Sequence, residues 1–184
     1  MDKHKRGFTI VELLIVLVVI AILAAITIVA YNGIQARGRD ARRKTDVANI
    51  EKAMEVYYSD HGSYPVPSGL TGSIINNGWY TSGDGSWNLL SSSLVGSSAI
   101  DNLPVDPTNT TTVSALSAGG YDYAIYVNPG TYCGSTSGQM YLIVYRYEVT
   151  SKEKFSDGNC TTNPLGDGYY ASGASYYRNV KSGS

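Results

Sequence analysis

The chain has 184 residues and a net charge of −1 at pH 7, from 15 acidic and 14 basic side chains. That balance argues against a dedicated nucleic-acid binder, whose footprint is a strong basic excess. Charges are few and Ser, Thr, Gly and Tyr are abundant, a composition that suits an extracellular surface better than a cytosolic enzyme.

Residues 1–7 read Met-Asp-Lys-His-Lys-Arg-Gly, a short basic segment. It has the character of a targeting element and is set aside from the fold. Phe8–Tyr31 follows, predominantly apolar and long enough to cross a bilayer core as a helix. Its one charge is Glu12. A carboxylate inside a membrane span is costly and is treated by default as functional. The bland alternative is a plain signal anchor with Glu12 hydrated near the interface. The run is too long for an ordinary secretory signal. Ala21, Ala24 and Ala25 lie within it, and no A-x-A cleavage site follows.

These residues carry a resemblance. Met1–Gly7 followed by Phe-Thr-Ile-Val-Glu-Leu is similar to the prepilin signal of type IV pilins and of the pseudopilins of type II secretion. Gly7, Phe8 and Glu12 occupy the motif positions, and Ile22-Leu23-Ala24-Ala25-Ile26 and Tyr31 also match. The resemblance implies cleavage by a prepilin peptidase between Gly7 and Phe8, and methylation of the new Phe8 amine. It gives Phe8 and Glu12 a role in assembly, into a helical filament of identical subunits. It also implies a single-pass membrane protein with a cytoplasmic leader, which becomes part of a surface filament. Adhesion, motility and DNA uptake all remain open. Two rivals stand beside this reading: a pseudopilin or minor pilin, and a membrane-tethered binding module with an uncleaved anchor. One departure is Val29, where many pilins have Pro; nothing from Phe8 to Asp60 is Pro.

Charge counting does not orient the span. The leader favours an N-in arrangement, yet Arg37, Arg39, Arg42, Arg43 and Lys44 follow the span against Asp40 alone. The outward placement of the domain rests on the resemblance. The basic cluster itself has three readings: a solvated helix face or attraction to lipid head groups, a partner for acids on neighbouring subunits, or a DNA contact.

Beyond the span the helix is expected to continue through 32–60. Val47, Ile50, Met54 and Tyr57 recur at helical spacing and form one apolar face. Gly62 and Pro65 supply the stop. Such a helix would be roughly 80 Å long, with Gly33 and Gly38 as candidate flexible points. Residues 61–120 read as a connection, pinned to the core by Trp79, Tyr80, Trp87, Leu89 and Leu90. A structureless loop of that length is improbable, so a short helix near 86–95 or an extra hairpin is expected. Gly62-Ser63-Tyr64-Pro65 and Leu103-Pro104-Val105-Asp106-Pro107 resemble elements found in pilins after the helix and before the sheet.

Residues 121–184 hold the strand signals. Tyr121–Val127, Met140–Val149 and Tyr169–Val180 are rich in Tyr, Ile and Val. The fold class is therefore α+β: a long N-terminal helix packed by its second half on a small antiparallel sheet of two or three strands. Cys133 and Cys160 are the two cysteines, and beyond a membrane they read as one disulfide. Closing that ring stabilises by roughly 3–4 kcal/mol in the chain-entropy model.

No enzyme constellation appears. His4 and His61 lie near no zinc-spaced ligand set, and there is no G-x-S-x-G elbow or P-loop. No cofactor or metal is called for. Asp84 and Asp157 sit in Gly-rich turns without the calcium-loop pattern, although some pseudopilins bind calcium. Asn109 and Asn159 begin short sequons.

Overall fold

The computed structural model describes residues 8–67, 78–111, 120–130, 134–149 and 175–180. One helix, α1 (Ile10–His61), runs for 52 residues, about 78 Å at 1.5 Å per residue. Thr9 caps its start with extended backbone, and Gly62 ends it in the left-handed conformation, φ 72°, donating its N–H to the Tyr58 carbonyl at 2.8 Å. A residue without a Cβ takes that conformation at little cost. The helix passes through Gly33 and Gly38 without a break.

The other elements are β1 (Trp79–Thr81), α2 (Ser86–Gly96), β2 (Ala124–Val127), β3 (Met140–Tyr145) and β4 (Ser175–Val180). The strands form one antiparallel meander in the order β1-β2-β3-β4. Trp79 faces Tyr126, Ile125 faces Ile143, and Ile143 faces Tyr177 across the ladder. The fold is α+β, as expected, with one strand more than the sequence signals indicated. The extra strand is β1. Its three residues are too few to register an alternation, and Trp79 and Tyr80 read instead as pins for a loop. They do both, being buried in the core, with the Tyr80 hydroxyl donating to the Pro65 carbonyl at 3.1 Å.

The strands are also shorter than their sequence runs. Residues 121–123 leave the ladder to bond elsewhere. The Tyr123 N–H donates to Ser82 Oγ, and the Thr110 N–H donates to the Tyr121 carbonyl. The end of the run Met140–Val149 turns onto α1, where the amides of Glu148 and Val149 find a carboxylate. For Tyr169–Val180, residues 169–174 lie outside the described residues.

The core forms where α1, α2 and one sheet face meet. From α1 come Val47, Ile50, Ala53 and Met54, the stripe read from the sequence, with Tyr57 packed against them. The sheet gives Tyr123, Ile125 and Val127 from one run and Tyr141, Ile143, Tyr145 and Tyr147 from the next, alternate residues on one face as a pleat requires. α2 adds Trp87, Leu90 and Leu94, at spacings of three and four that hold them on one stripe. This is the helix expected near 86–95. It closes with paired bonds, Ala99 N–H to Leu94 carbonyl and Ser98 N–H to Val95 carbonyl, with Ser98 at φ 57°. That is the Schellman arrangement with serine where glycine is usual. On the opposite sheet face, Trp79, Ala124, Leu142 and Val144 make a smaller cluster.

Gly78 introduces β1 at φ 88°, its carbonyl accepting from the Val127 N–H at 2.7 Å. A Cβ there would lie 2.5 Å from the Val127 carbonyl oxygen, which is backbone and cannot swing aside. Gly78→Ala is therefore expected to lower stability by about 1–3 kcal/mol, from forced left-handed backbone and a displaced edge strand. Chemical denaturation of the detergent-solubilised chain, followed by circular dichroism, measures it. An unchanged midpoint would contradict the tight approach.

Candidate functional site

The first candidate site is the start of α1. Every residue from Phe8 to Ile28 is exposed, so this apolar surface has no partner among the described residues. Thr27 is the one hydroxyl in its later part, and it donates to the Leu23 carbonyl one turn back. A polar group satisfied in this way is compatible with an apolar exterior.

Glu12 lies three residues after the cap. Its Oε2 accepts from both the Thr9 N–H at 2.8 Å and the Thr9 hydroxyl at 2.7 Å, while the Glu12 N–H donates to Thr9 Oγ1 at 3.3 Å. This is a capping box, which satisfies two otherwise orphaned donors reciprocally. Thr9-Ile10-Val11-Glu12 carries its T-x-x-E signature, which the sequence reading did not use. The box holds the carboxylate toward the N-terminal end of the helix. Phe8 projects just beyond, 87% exposed. Gly7 lies outside the described residues, as do Cys133 and Cys160.

The second feature is where α1 meets its domain. Arg43 is fully buried. Its Nε and Nη2 fork onto Asp106 at 2.7 and 3.0 Å, and Nη1 donates to Asp40 at 2.9 Å and Glu148 at 2.7 Å. Nη2 also reaches Thr108 Oγ1 at 3.0 Å, and the guanidinium stacks 4.8 Å from the Tyr121 ring. Arg39 forks onto the two oxygens of Glu148. Asp40 accepts the backbone N–H groups of Glu148 and Val149, each at 2.9 Å. One helix turn thus grips two distant segments, 106–108 and 148–149.

The structure gives two members of the basic cluster a duty within the chain: Arg43, fully buried, and Arg39, partly exposed, pair with acids of their own chain. Arg42 is different: its side chain is 62% exposed and 3.6 Å from Asp46. The Asp106 of Leu103–Pro107 is the buried acceptor, so that element serves as half of the clamp.

The electrostatics follow from burial and partners. Burial works against charge on Arg43, but the hydrogen bonds it donates to Asp106 and Glu148 outweigh it and hold the guanidinium above its ordinary range. The Arg39 hydrogen bond, assisted by Arg43, holds the Glu148 carboxyl below its ordinary value. Asp46 goes the other way. Burial raises it, against the Tyr123 hydroxyl at 2.9 Å and Arg42.

Among the described residues no group of His, Cys, Asp and Glu could hold a metal ion. His61 stacks on Tyr57 at 4.0 Å. Asp84 serves its own turn, accepting from the Ser86 N–H at 2.8 Å. Asn109 has both ends of its amide bonded to Ser82. His4, Asp157 and Asn159 lie outside the described residues.

Comparison with known proteins adds an independent line. The model of the prokaryotic N-terminal methylation motif matches residues 2–28. The chain is 35% identical over 72 residues to the fimbrial protein EcpC of Eikenella corrodens, covering 39% of this chain and 47% of that one. It is 34% identical over 65 residues to the type IV major pilin protein PilE1 of Neisseria gonorrhoeae, covering 35% and 39%. It is 24% identical over 75 residues to the type II secretion system core protein G of Dickeya chrysanthemi, covering 41% and 49%. The chain thus spans less than half the length of these curated relatives. No solved structure matches it.

Two outcomes are expected of the clamp. Arg43→Ala strands Asp106 and Asp40 without their counter-charge, which costs about 3–5 kcal/mol; Arg42→Ala, at an exposed pair, costs about 1 kcal/mol or less. Denaturant midpoints of the two variants give the comparison, and equal losses would refute the clamp. The second concerns pH. The carboxyl of Glu148 sits lower in the folded chain than in the unfolded one, so its contribution is present above the usual carboxylate pKa of about 4.3 and is lost as pH falls through the folded value. Glu148→Gln should therefore be less stable than the parent at neutral pH, with the gap closing below roughly pH 4. A gap independent of pH would count against the ion pair.

Proposed function

We propose that this chain, which carries the N-terminal methylation motif of type IV pilins and pseudopilins, is a structural subunit of a type IV pilus-like surface filament. It is first held in the membrane by α1 and then assembled through that helix. The observation that carries this reading is the division of α1. Its N-terminal half is apolar and exposed all round, and its distal half is clamped to a folded domain. An apolar surface that its own domain leaves bare needs lipid or other helices. A helix tethered at one end can exchange the first for the second.

In this reading a prepilin peptidase cleaves between Gly7 and Phe8, the Phe8 amine is methylated, and Cys133 and Cys160 form one disulfide outside the cell. The new ammonium of Phe8 then pairs with Glu12 of an adjacent subunit. Such a pair adds little net stability when buried, because both charges lose their water. Its stronger effect is on register, since an axial slip leaves two bare charges in an apolar bundle. The similarity to a type II secretion core protein keeps a pseudopilin as the second reading. Abundance in material sheared from the cell surface separates the two.

The test is at Glu12. Glu12→Ala removes both the charge and the capping box. Glu12→Gln keeps an acceptor for the Thr9 N–H, as capping boxes allow, and removes only the charge. Both variants are expected to be processed and inserted normally, with filament yield down roughly tenfold or more, because an unpaired buried charge costs about 3–5 kcal/mol. Filament yield is measured beside the amount of processed subunit in the membrane. Normal filaments from Glu12→Gln, made without wild-type subunit, would remove the charge from the mechanism.

A further inference from the structure

Five cations cluster between residues 37 and 44, just after the membrane-spanning part of α1, and the fold sorts them. Arg39 and Arg43 are consumed by Glu148, Asp106 and Asp40. Arg42 lies beside Asp46. Lys44 sits 5.5 Å from the Tyr147 ring. Arg37 is exposed and has no ion pair among the described residues. The acid nearest to it in sequence, Asp40, is turned inward onto Arg43 and two backbone amides.

Position along the helix separates Arg37 further. It lies 29 residues beyond Phe8, about 44 Å along the axis at 1.5 Å per residue. A bilayer with its head groups is about 40–45 Å thick. With Phe8 at one boundary, Arg37 therefore reaches the opposite head-group layer, while Arg42 and Lys44 stand about 8 and 11 Å further out. Tyr31, exposed and about 9 Å below Arg37, falls at the edge of the hydrocarbon, where an aromatic ring with a polar tip is at home.

We propose that Arg37 is a phospholipid anchor, its guanidinium binding the phosphate of anionic head groups on the outward face of the membrane while the subunit is unassembled. The planar fork of a guanidinium matches two phosphate oxygens. The inward-turned Asp40 presents no competing acid there. The contact fixes the depth of the span and holds the domain just clear of the bilayer. The proposal rests on the membrane-spanning part of the function given above and not on filament assembly.

The experiment reconstitutes the full chain in phosphatidylcholine vesicles. These carry a trace of spin-labelled phosphatidylglycerol or, in parallel, spin-labelled phosphatidylcholine. Electron spin resonance gives the fraction of each label immobilised by the protein. Lys3, Lys5 and Arg6 attract anionic lipid to the other face in every variant, so the reading is the difference between parent and Arg37→Gln. The parent is expected to prefer phosphatidylglycerol over Arg37→Gln by up to about fivefold, the effect of one cation at a charged surface. Arg37→Lys is expected to retain part of the preference, and high salt to remove it. The same preference in parent and Arg37→Gln would overturn the anchor alone. Extraction of the parent chain from the vesicles by alkaline carbonate would overturn both the anchor and the membrane-spanning reading.

Discussion

A guanidinium buried without water has to be surrounded by acceptors, and Arg43 is. Asp40, Asp106, Glu148 and Thr108 take its donors, and the Tyr121 ring covers its face. A buried ion pair is not a source of large net stability. What it does here is fix geometry. The acceptors come from α1 itself, from the segment between α2 and β2 and from the segment after β3, so the three are joined in one arrangement. Apolar packing of Val47, Ile50 and Met54 on the sheet tolerates small sliding along the helix; a fork onto a carboxylate does not.

The clamp begins at Arg39, and the apolar residues from Ile10 to Ile28 on α1 are left bare. The helix is thus one continuous rod with two different solvents in mind. Its distal half has exchanged water for a tyrosine-rich sheet. Its proximal half has no such partner among the described residues, and Thr27 bonds back to Leu23 while Thr9 bonds with Glu12. Apolar area of this kind is favourable only when removed from water. A bilayer and a bundle of like helices both satisfy that condition. The methylation motif at residues 2–28 covers the part of the chain that would have to make the exchange.

Much of this was legible in the sequence because it is local. The apolar run, the spacing of Val47, Ile50, Met54 and Tyr57, the Gly62 stop and the Ser86–Gly96 helix all follow from periodicity and turn chemistry. β1 was hidden because three residues carry no period. The clamp was hidden for a different reason: Asp106 and Glu148 lie far from Arg43 in sequence, and nothing local names a partner. A signal existed nonetheless. Arg39 and Arg43 sit eight and four residues before Val47, on the same helical stripe as the core face. Cations that continue an apolar stripe are placed to be buried, and buried cations require acids. The capping box at Thr9 and Glu12 was equally available, but the motif drew attention to Glu12 as an assembly charge and away from its local duty. The two roles are compatible, since the box aims the carboxylate at the end of the helix where cleavage would create an ammonium.

The measurement that bears most directly on the filament reading is the intact mass of this subunit in filaments sheared from the cell surface. A chain beginning at Phe8, heavier by one CH2 from the methyl that replaces an amine hydrogen and lighter by the two hydrogens lost in a Cys133–Cys160 bond, is the predicted result. A chain in that fraction beginning at Met1, or its absence from sheared filaments while it remains in the membrane, would contradict assembly through a processed N-terminal helix.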